Sequence, residues 1–448
     1  MHRAPWLVLA VVLGIGATAP PPAAASACTL DNVPAATLLL PYFEVDLDSP
    51  SGTTTVFSIH NAWPEATVAH IIFWTDWGAP TINFDVFLTG YDVVSVNLRD
   101  AFNGSLPVTA TEAVDPTDSI SPHGSNPEWD GDFPVCEFLF PYPDPVVSGG
   151  AFDRLVNGHT GQPVASLGGA CLGADHGVGN VARGYVTIDD ARECSLVLDP
   201  GDPEYFGTAN PVVTRENQLW GDFFIVKPGN ARAELQPLVA IEADPDFDSS
   251  STPTNYTFYG RFTQGAGGND NREPLGAAWG GRFLDRQTGT SSYTVWRDPT
   301  ADNLLLASGG APCAAPGVPG PDWLPLQENR VTCFDEEENV VELCGPTTRG
   351  TDPACFPLAT QRVRVGTGEL DLPFTAGWCQ LDLGIPGDSP TGDVDFPASP
   401  PGDVAQSWVG VRYDLTTGSY SAGLQAVELE HACDLPAARA LVEGGNAR

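Results

Sequence analysis

The chain has 448 residues, 57 acidic against 20 basic, and a formal net charge of −37. A field of that sign repels nucleic acid and anionic membranes, so neither is expected as an electrostatically driven partner. A hydrophobic share of 42% with 17% charged residues argues against wholesale disorder, and 48 Gly with 42 Pro point to short strands and many turns rather than long helices.

Residues 1–27, "MHRAPWLVLAVVLGIGATAPPPAAASA", have a basic start, an apolar run and a small-residue end. That layout predicts a secretory signal peptide, cleaved so that Cys28 opens the mature chain. Ala25 stands where a lipidated Cys28 would want a large aliphatic residue, which disfavours a lipid anchor. No stretch is long and apolar enough to predict a membrane span. The expected location is secreted, or periplasmic and cell-surface.

From residue 35 onward, apolar and alternating segments are broken by turn signals: "ATLLLPYFEV", "TTTVFSIHN", "TVAHIIFWTD", "TINFDVFL" and "YDVVSVNLRDAF". Pro41 inside the first segment predicts an edge or a bulge. A second series starts near residue 256, and its blocks follow the same order as the first. "GTTTVFSIHN" (52–61) matches "GTSSYTVWRD" (289–298), and "HIIFWTD" (70–76) matches "NRVTCFD" (329–335). "VVSVNLRDAF" matches "QRVRVGTGELDLPF", "GYVTIDD" matches "GWCQLDL", "QLWGDFFIV" matches "QSWVGVRYD", and "AELQPLVAIEA" matches "SAGLQAVELEHA". The expectation is an all-β protein of two tandem immunoglobulin-like β-sandwich domains, an internal duplication with long disulfide-stapled loop insertions. Domain 1 covers 28–246 with an insertion at 103–183. Domain 2 covers 255–433 with insertions at 300–328 and 341–360, and 434–448 is a polar tail. Within the first insertion, "AFDRLVNG" predicts a short helix stopped by Gly158.

Cysteines stand at Cys28, Cys136, Cys171, Cys194, Cys313, Cys333, Cys344, Cys355, Cys379 and Cys433. No C-x-x-C occurs and no histidine sits at zinc-site spacing, so disulfides are expected. The close pair Cys344–Cys355 is the favoured link, and Cys136 with Cys171 would staple the first insertion.

Function is thinly signalled. No G-x-S-x-G, H-E-x-x-H or phosphate-loop motif is present. Trp77, at the turn of "FWTDWGAP", and Trp129 and Tyr142 in the insertion are candidates for stacking on sugar rings. Trp74 reads as core, and Trp220 and Trp408 read as paired core tryptophans, one per sandwich. His159 and His176, with Asp175, are candidates for an acid–base or metal pair. Asp244, Asp246 and Asp248 have the alternation of a calcium loop without its Gly and Glu, so calcium is the one candidate cofactor. Arg272, Glu273 and Arg282 read as charges protecting an edge strand. The expected function is an exported, non-catalytic binding or structural protein, its partner an extracellular polysaccharide or a cell-surface protein. The alternative is a secreted, glycosidase-like hydrolase with its site in 103–183.

Overall fold

Strict alternation builds the strands. In "TTVFSIHN", Phe57 and Ile59 turn inward while Ser58 and His60 turn outward. The computed structural model describes residues 32–107, 146–243, 257–263, 270–299, 310–313, 324–344, 354–384, 406–415 and 421–429, apart from gaps at 178, 193, 196–199, 208–210, 231 and 287–288. The described chain is mostly β, with antiparallel sheets.

The first strands are β1 (Thr37–Asp46), β2 (Thr54–Asn61), β3 (Thr67–Thr75), β4 (Pro80–Leu88) and β5 (Val93–Asn97). Helices α1 (Leu98–Phe102) and α2 (Gly149–Thr160) follow. Then come β6 (Val181–Ala191), β7 (Leu219–Lys227), β8 (Arg232–Pro237) and β9 (Val239–Ile241). The second half supplies β10 (Ala278–Arg286), β11 (Gly289–Arg297), β12 (Arg330–Asp335), β13 (Val340–Cys344) and β14 (Thr360–Arg364). It ends with β15 (Ala376–Asp382), β16 (Ser407–Leu415), β17 (Ser421–Gln425) and β18 (Val427–Glu428).

In the first half the sheets run β4-β3-β6-β1-β9 and β5-β2-β7-β8. In the second half they run β13-β12-β15-β10-β18 and β14-β11-β16-β17, joined by a short β10–β11 pairing through Asp285↔Thr290 and Arg286↔Gly289. Adding nine to each strand number of the first half gives the second. Pro41 lies in a register shift of β1 between Leu40 and Phe43, beyond the part of β1 that pairs with β9. This is the bulge the proline predicts, because proline has no N–H for a ladder.

Helix α2 runs through Gly158 and ends at Gly161, whose φ of 68° is left-handed. Gly158 is kept for closeness rather than as a stop: a Cβ there would stand 3.1 Å from the Thr81 side chain.

Phe43, Phe57, Phe73, Phe84, Ile188 and Phe223 fill the space between the first two sheets. A second core surrounds Trp279, Tyr293 and Val295 and extends without a break to Leu39, Ile72, Trp74 and Tyr185, on the outer face of the first five-stranded sheet. That outer face lies on the outer face of β14-β11-β16-β17. Tyr185 meets Trp296 edge-on at 5.9 Å, and Thr360 donates to the Pro41 carbonyl at 2.6 Å. Glu234, on edge strand β8, takes Arg362 at 3.0 Å and Arg412 at 3.4 Å, while the Arg362 guanidinium sits 4.9 Å from the Tyr42 ring.

Arg272 is fully buried, which overturns its reading as an edge-strand charge. It bonds Thr37, donates to the Thr214 carbonyl at 2.9 Å, and lies 3.3 Å from Asp189. Tyr205 and Tyr259 donate to the same Asp189 carboxylate at 2.6 and 2.7 Å. Buried charge is tolerable here because the carboxylates of Asp189 and, at 3.5 Å, Asp270 face the guanidinium, and its hydrogen bonds to Thr37 and Thr214 are satisfied.

Cys344–Cys355 forms as the spacing suggests, and Cys333–Cys379 joins neighbouring positions of β12 and β15. Cys171 pairs with Cys313, not Cys136, so this bridge ties the first insertion to the second half. Cys194 is also disulfide-bonded, while Cys28, Cys136 and Cys433 lie outside the described residues. Among the described residues no helix is long and apolar enough to cross a membrane.

Candidate functional site

The turn after β3 is held from beneath. Thr75 donates its hydroxyl to the Leu172 carbonyl at 2.6 Å, and its backbone N–H reaches the Ala79 carbonyl. Trp77 is consequently buried among Val164, Leu172, Ala311, Leu324 and Leu326. It cannot stack on a ligand, and the Cys171–Cys313 bridge pins the segments that cover it. Trp74 is core as expected, its indole N–H donating to Thr187 at 2.8 Å. Trp129, Tyr142, Asp244, Asp246 and Asp248 lie outside the described residues.

Asp76, in that same turn, organises the insertion. It accepts the Ala174 N–H at 2.9 Å and meets His176 Nε2 at 2.6 Å. Asp76 is buried, while the His176 side chain keeps 27% of its surface open. His159 does not join that pair. It projects from α2 into the core, between Phe43 and Phe102, with Nδ1 on the Arg183 carbonyl and Nε2 on the Thr81 hydroxyl, at 2.8 and 2.9 Å. Burial pushes its pKa down to about 4, so the ring is neutral at pH 7. A carbonyl facing Nδ1 requires the proton there, which leaves Nε2 as an acceptor. Both nitrogens are therefore committed to holding α2 against the sheet. Asp175 accepts the Gly177 N–H at 2.8 Å, a contact within its own turn.

A further polar group stands on the outer face of β5-β2-β7-β8. Ser58 Oγ lies 2.9 Å from His60 Nε2 and donates to Asp222 at 2.8 Å. The residue types are those of a hydrolytic triad, but the order is wrong. In a triad the imidazole is central and takes the serine proton. Here the hydroxyl is central and its proton points at a carboxylate, a weak base at neutral pH. The set fastens β2 to β7. Sequence alone held its signal in the i, i+2 pairs Ser58/His60 and Trp220/Asp222, which alternation places outward on adjacent strands.

The same face carries the exposed aromatics. His60 stacks on Trp220 at 3.9 Å with an interplanar angle of 14°, beside exposed Val93. Trp63 and Tyr91 are exposed nearby, linked by a backbone bond from Tyr91 N to the Trp63 carbonyl. Trp220, 40% open, is not the core partner of Trp408, which is 1% open. The first half covers the face bearing Trp408, while no described residue covers the counterpart face. A second stacked pair, Phe334 and Trp378 at 5.0 Å and 19°, lies on the outer face of β12 and β15. Exposed Val340, Val427 and Leu429 extend that face.

Glu328, Cys344 and Cys355 approach as a metal set would, but both sulfurs are spent in a disulfide and Glu328 faces Arg297 at 3.4 Å. A disulfide offers no thiolate, so this cluster does not fit a metal. No protein-family model matches the chain, and no curated protein sequence matches it.

Proposed function

We propose that this is an exported, non-catalytic binding or structural protein made of two copies of one immunoglobulin-like sandwich, working through its two uncovered aromatic sheet faces. The observation that carries the reading is the placement of the stacked pairs His60/Trp220 and Phe334/Trp378 on open sheet faces, while His159 and the Ser58 hydroxyl are committed to internal hydrogen bonds. Flat, exposed rings are contact surfaces with low ordering cost. Export is supported by residues 1–27 and by the disulfides.

Duplication is supported by the strand order, which repeats under a shift of nine across all strands. The immunoglobulin likeness is narrower. Pairings β2–β5 and β3–β6 sit where that fold pairs its B–E and C–F strands. At the edges, β7 joins β2 and β1 joins β6, so the first and seventh strands exchange places relative to that fold.

A carbohydrate partner is the version the exposed rings favour. It is tested by retaining the purified protein on insoluble polysaccharides and cell-envelope material, with calcium present. Saturable retention that drops about tenfold or more in Trp220→Ala or Trp378→Ala supports it. Absence of retention on every material removes it. The hydrolase reading has one observation in its favour, the Asp76–His176 pair with its partly open imidazole. Turnover of chromogenic glycosides that vanishes in His176→Ala would establish that reading instead.

A further inference from the structure

We propose that the chain associates head to tail with further copies of itself, the open face of its second half docking on the open face of the next copy's first half. The proposal rests on the duplicated reading and names a partner for the same aromatic faces.

The argument starts from the contact already made inside the chain. There, the outer face of β4-β3-β6-β1-β9 lies on the outer face of β14-β11-β16-β17. Each of these faces has a counterpart in the other half. The counterparts are the outer faces of β13-β12-β15-β10-β18 and β5-β2-β7-β8, and these two are the ones left open. A molecule with a used pair of complementary faces and an unused pair of the same kinds is built to repeat the contact.

Register makes the correspondence specific. Trp74 and Tyr185 are strand neighbours that stack at 5.7 Å with an angle of 2° and press on the second half. The neighbours at the matching places on β12 and β15 are Phe334 and Trp378, stacked and open. On the receiving side, Trp296 and Trp408 are register partners, and their counterparts His60 and Trp220 are register partners too. The aromatic pair on the docking face and the pair on the receiving face both recur where no partner yet covers them.

The polar anchors change on both sides at once. Inside the chain, Glu234 and Gln236 of β8 meet Arg362, Arg412 and the bare backbone of Gly410 and Gly423. At the open end, register replaces Glu234 and Gln236 by Ala422 and Leu424. Their receiving partners become Ser95 and Phe224 in place of the two arginines, and Asp222 and Leu235 in place of Gly410 and Gly423. The internal ion pairs have no counterpart at the open end: Ala422 and Leu424 would meet Phe224 and Leu235 beside polar Ser95 and Asp222, so the apolar members carry the contact there. Leu424 and Leu235 are both well exposed in the single chain.

Such a contact joins different surfaces on the two copies and leaves one of each free, so it continues into a ring or an open array. The net charge of −37 opposes it, and screening salt should favour it.

The test uses the full mature protein in sedimentation velocity over a range of concentrations, at low and high salt. The expected result is an average mass that rises with concentration past the dimer, more so at high salt. Trp378→Asp blocks the docking face and Trp220→Asp the receiving face, each weakening association by about 30-fold or more. Each variant alone should stay monomeric, while their equimolar mixture should give a dimer and nothing larger, because one intact face of each kind remains. Leu424→Glu with Leu235→Glu repeats the design if an aromatic variant fails to fold. A wild type that is monomeric throughout overturns the proposal, as does either blocked variant associating with itself. A monomer that is still retained on polysaccharide would sink self-association and leave the binding reading intact. Loss of both would sink the two together.

Discussion

Two four-stranded sheets of matching strand order meet opposite fates in this molecule. On β14-β11-β16-β17 the outward row Thr360, Trp296 and Trp408 is sealed by the first half. On β5-β2-β7-β8 the same row is Val93, His60 and Trp220, and it faces solvent. Tryptophan occupies the matching place in both, so residue type does not decide burial here. The partner does: a half-apolar outer face is tolerated in water and becomes core wherever another sheet arrives.

The comparison is broken most directly by truncating matched rings. Trp296→Ala should cost about 3–5 kcal/mol in urea unfolding, because it empties a closed interface. His60→Ala, at the matching open place, should cost less than about 1 kcal/mol. Equal losses would mean that the open face is not open.

Next in size is the anchor of the seam. Glu234→Ala leaves Arg362 and Arg412 facing each other without their shared carboxylate. Stability should fall by about 3 kcal/mol. Leu424→Ala, at the counterpart of Gln236 two residues from that of Glu234, should change it by no more than about 0.5 kcal/mol.

The last comparison concerns a buried titration at a place whose match in the other half is apolar. Asp190 is buried, bonded by Thr67 and Thr214 and by Gln218 at 3.0 Å, and burial pushes its pKa up to about 7. The matching place, just past β15, is apolar Leu383. Unfolded, the aspartate releases its proton near pH ~4. Between there and about 7 the folded chain still holds it, so stability falls as pH rises through that window and levels above it. Asp190→Asn should remove that fall from the difference between pH 4 and pH 8 melts. A slope unchanged in Asp190→Asn would assign the titration elsewhere.

Much of the architecture was legible in the sequence, because alternation survives as strands: "TTVFSIHN" and "QLWGDFFIV" read as strands and are strands. The bulge at Pro41 and the Cys344–Cys355 bridge were legible for local reasons, a missing N–H and a short loop. Register was not. Aligning "HIIFWTD" with "NRVTCFD" sets Trp74 against Cys333, whereas the ladders set it against Phe334. A slip of one residue preserves the look of a strand and turns every side chain to the other face. Trp77 was misread because its cover comes from residues far along the chain, Val164, Leu172, Ala311, Leu324 and Leu326. Cys171–Cys313 spans 142 residues for the same reason. His60, Trp220, Phe334 and Trp378 could have been found only by knowing which outer face is left over.

The seam between the halves also sets an order of events. Strand β9 closes the first five-stranded sheet by pairing with β1, and it is complete at Ile241. A chain made and delivered from its N-terminus can therefore finish the first sandwich while β11, β14 and β16 are still absent. During that interval Leu39, Ile72, Trp74 and Tyr185 lack the second-half residues that cover them in the finished chain. The half-made chain therefore shows an adhesive face that the finished chain covers. Trimming the protein to its first half would make that condition permanent, so the shorter product should be the harder one to keep in solution.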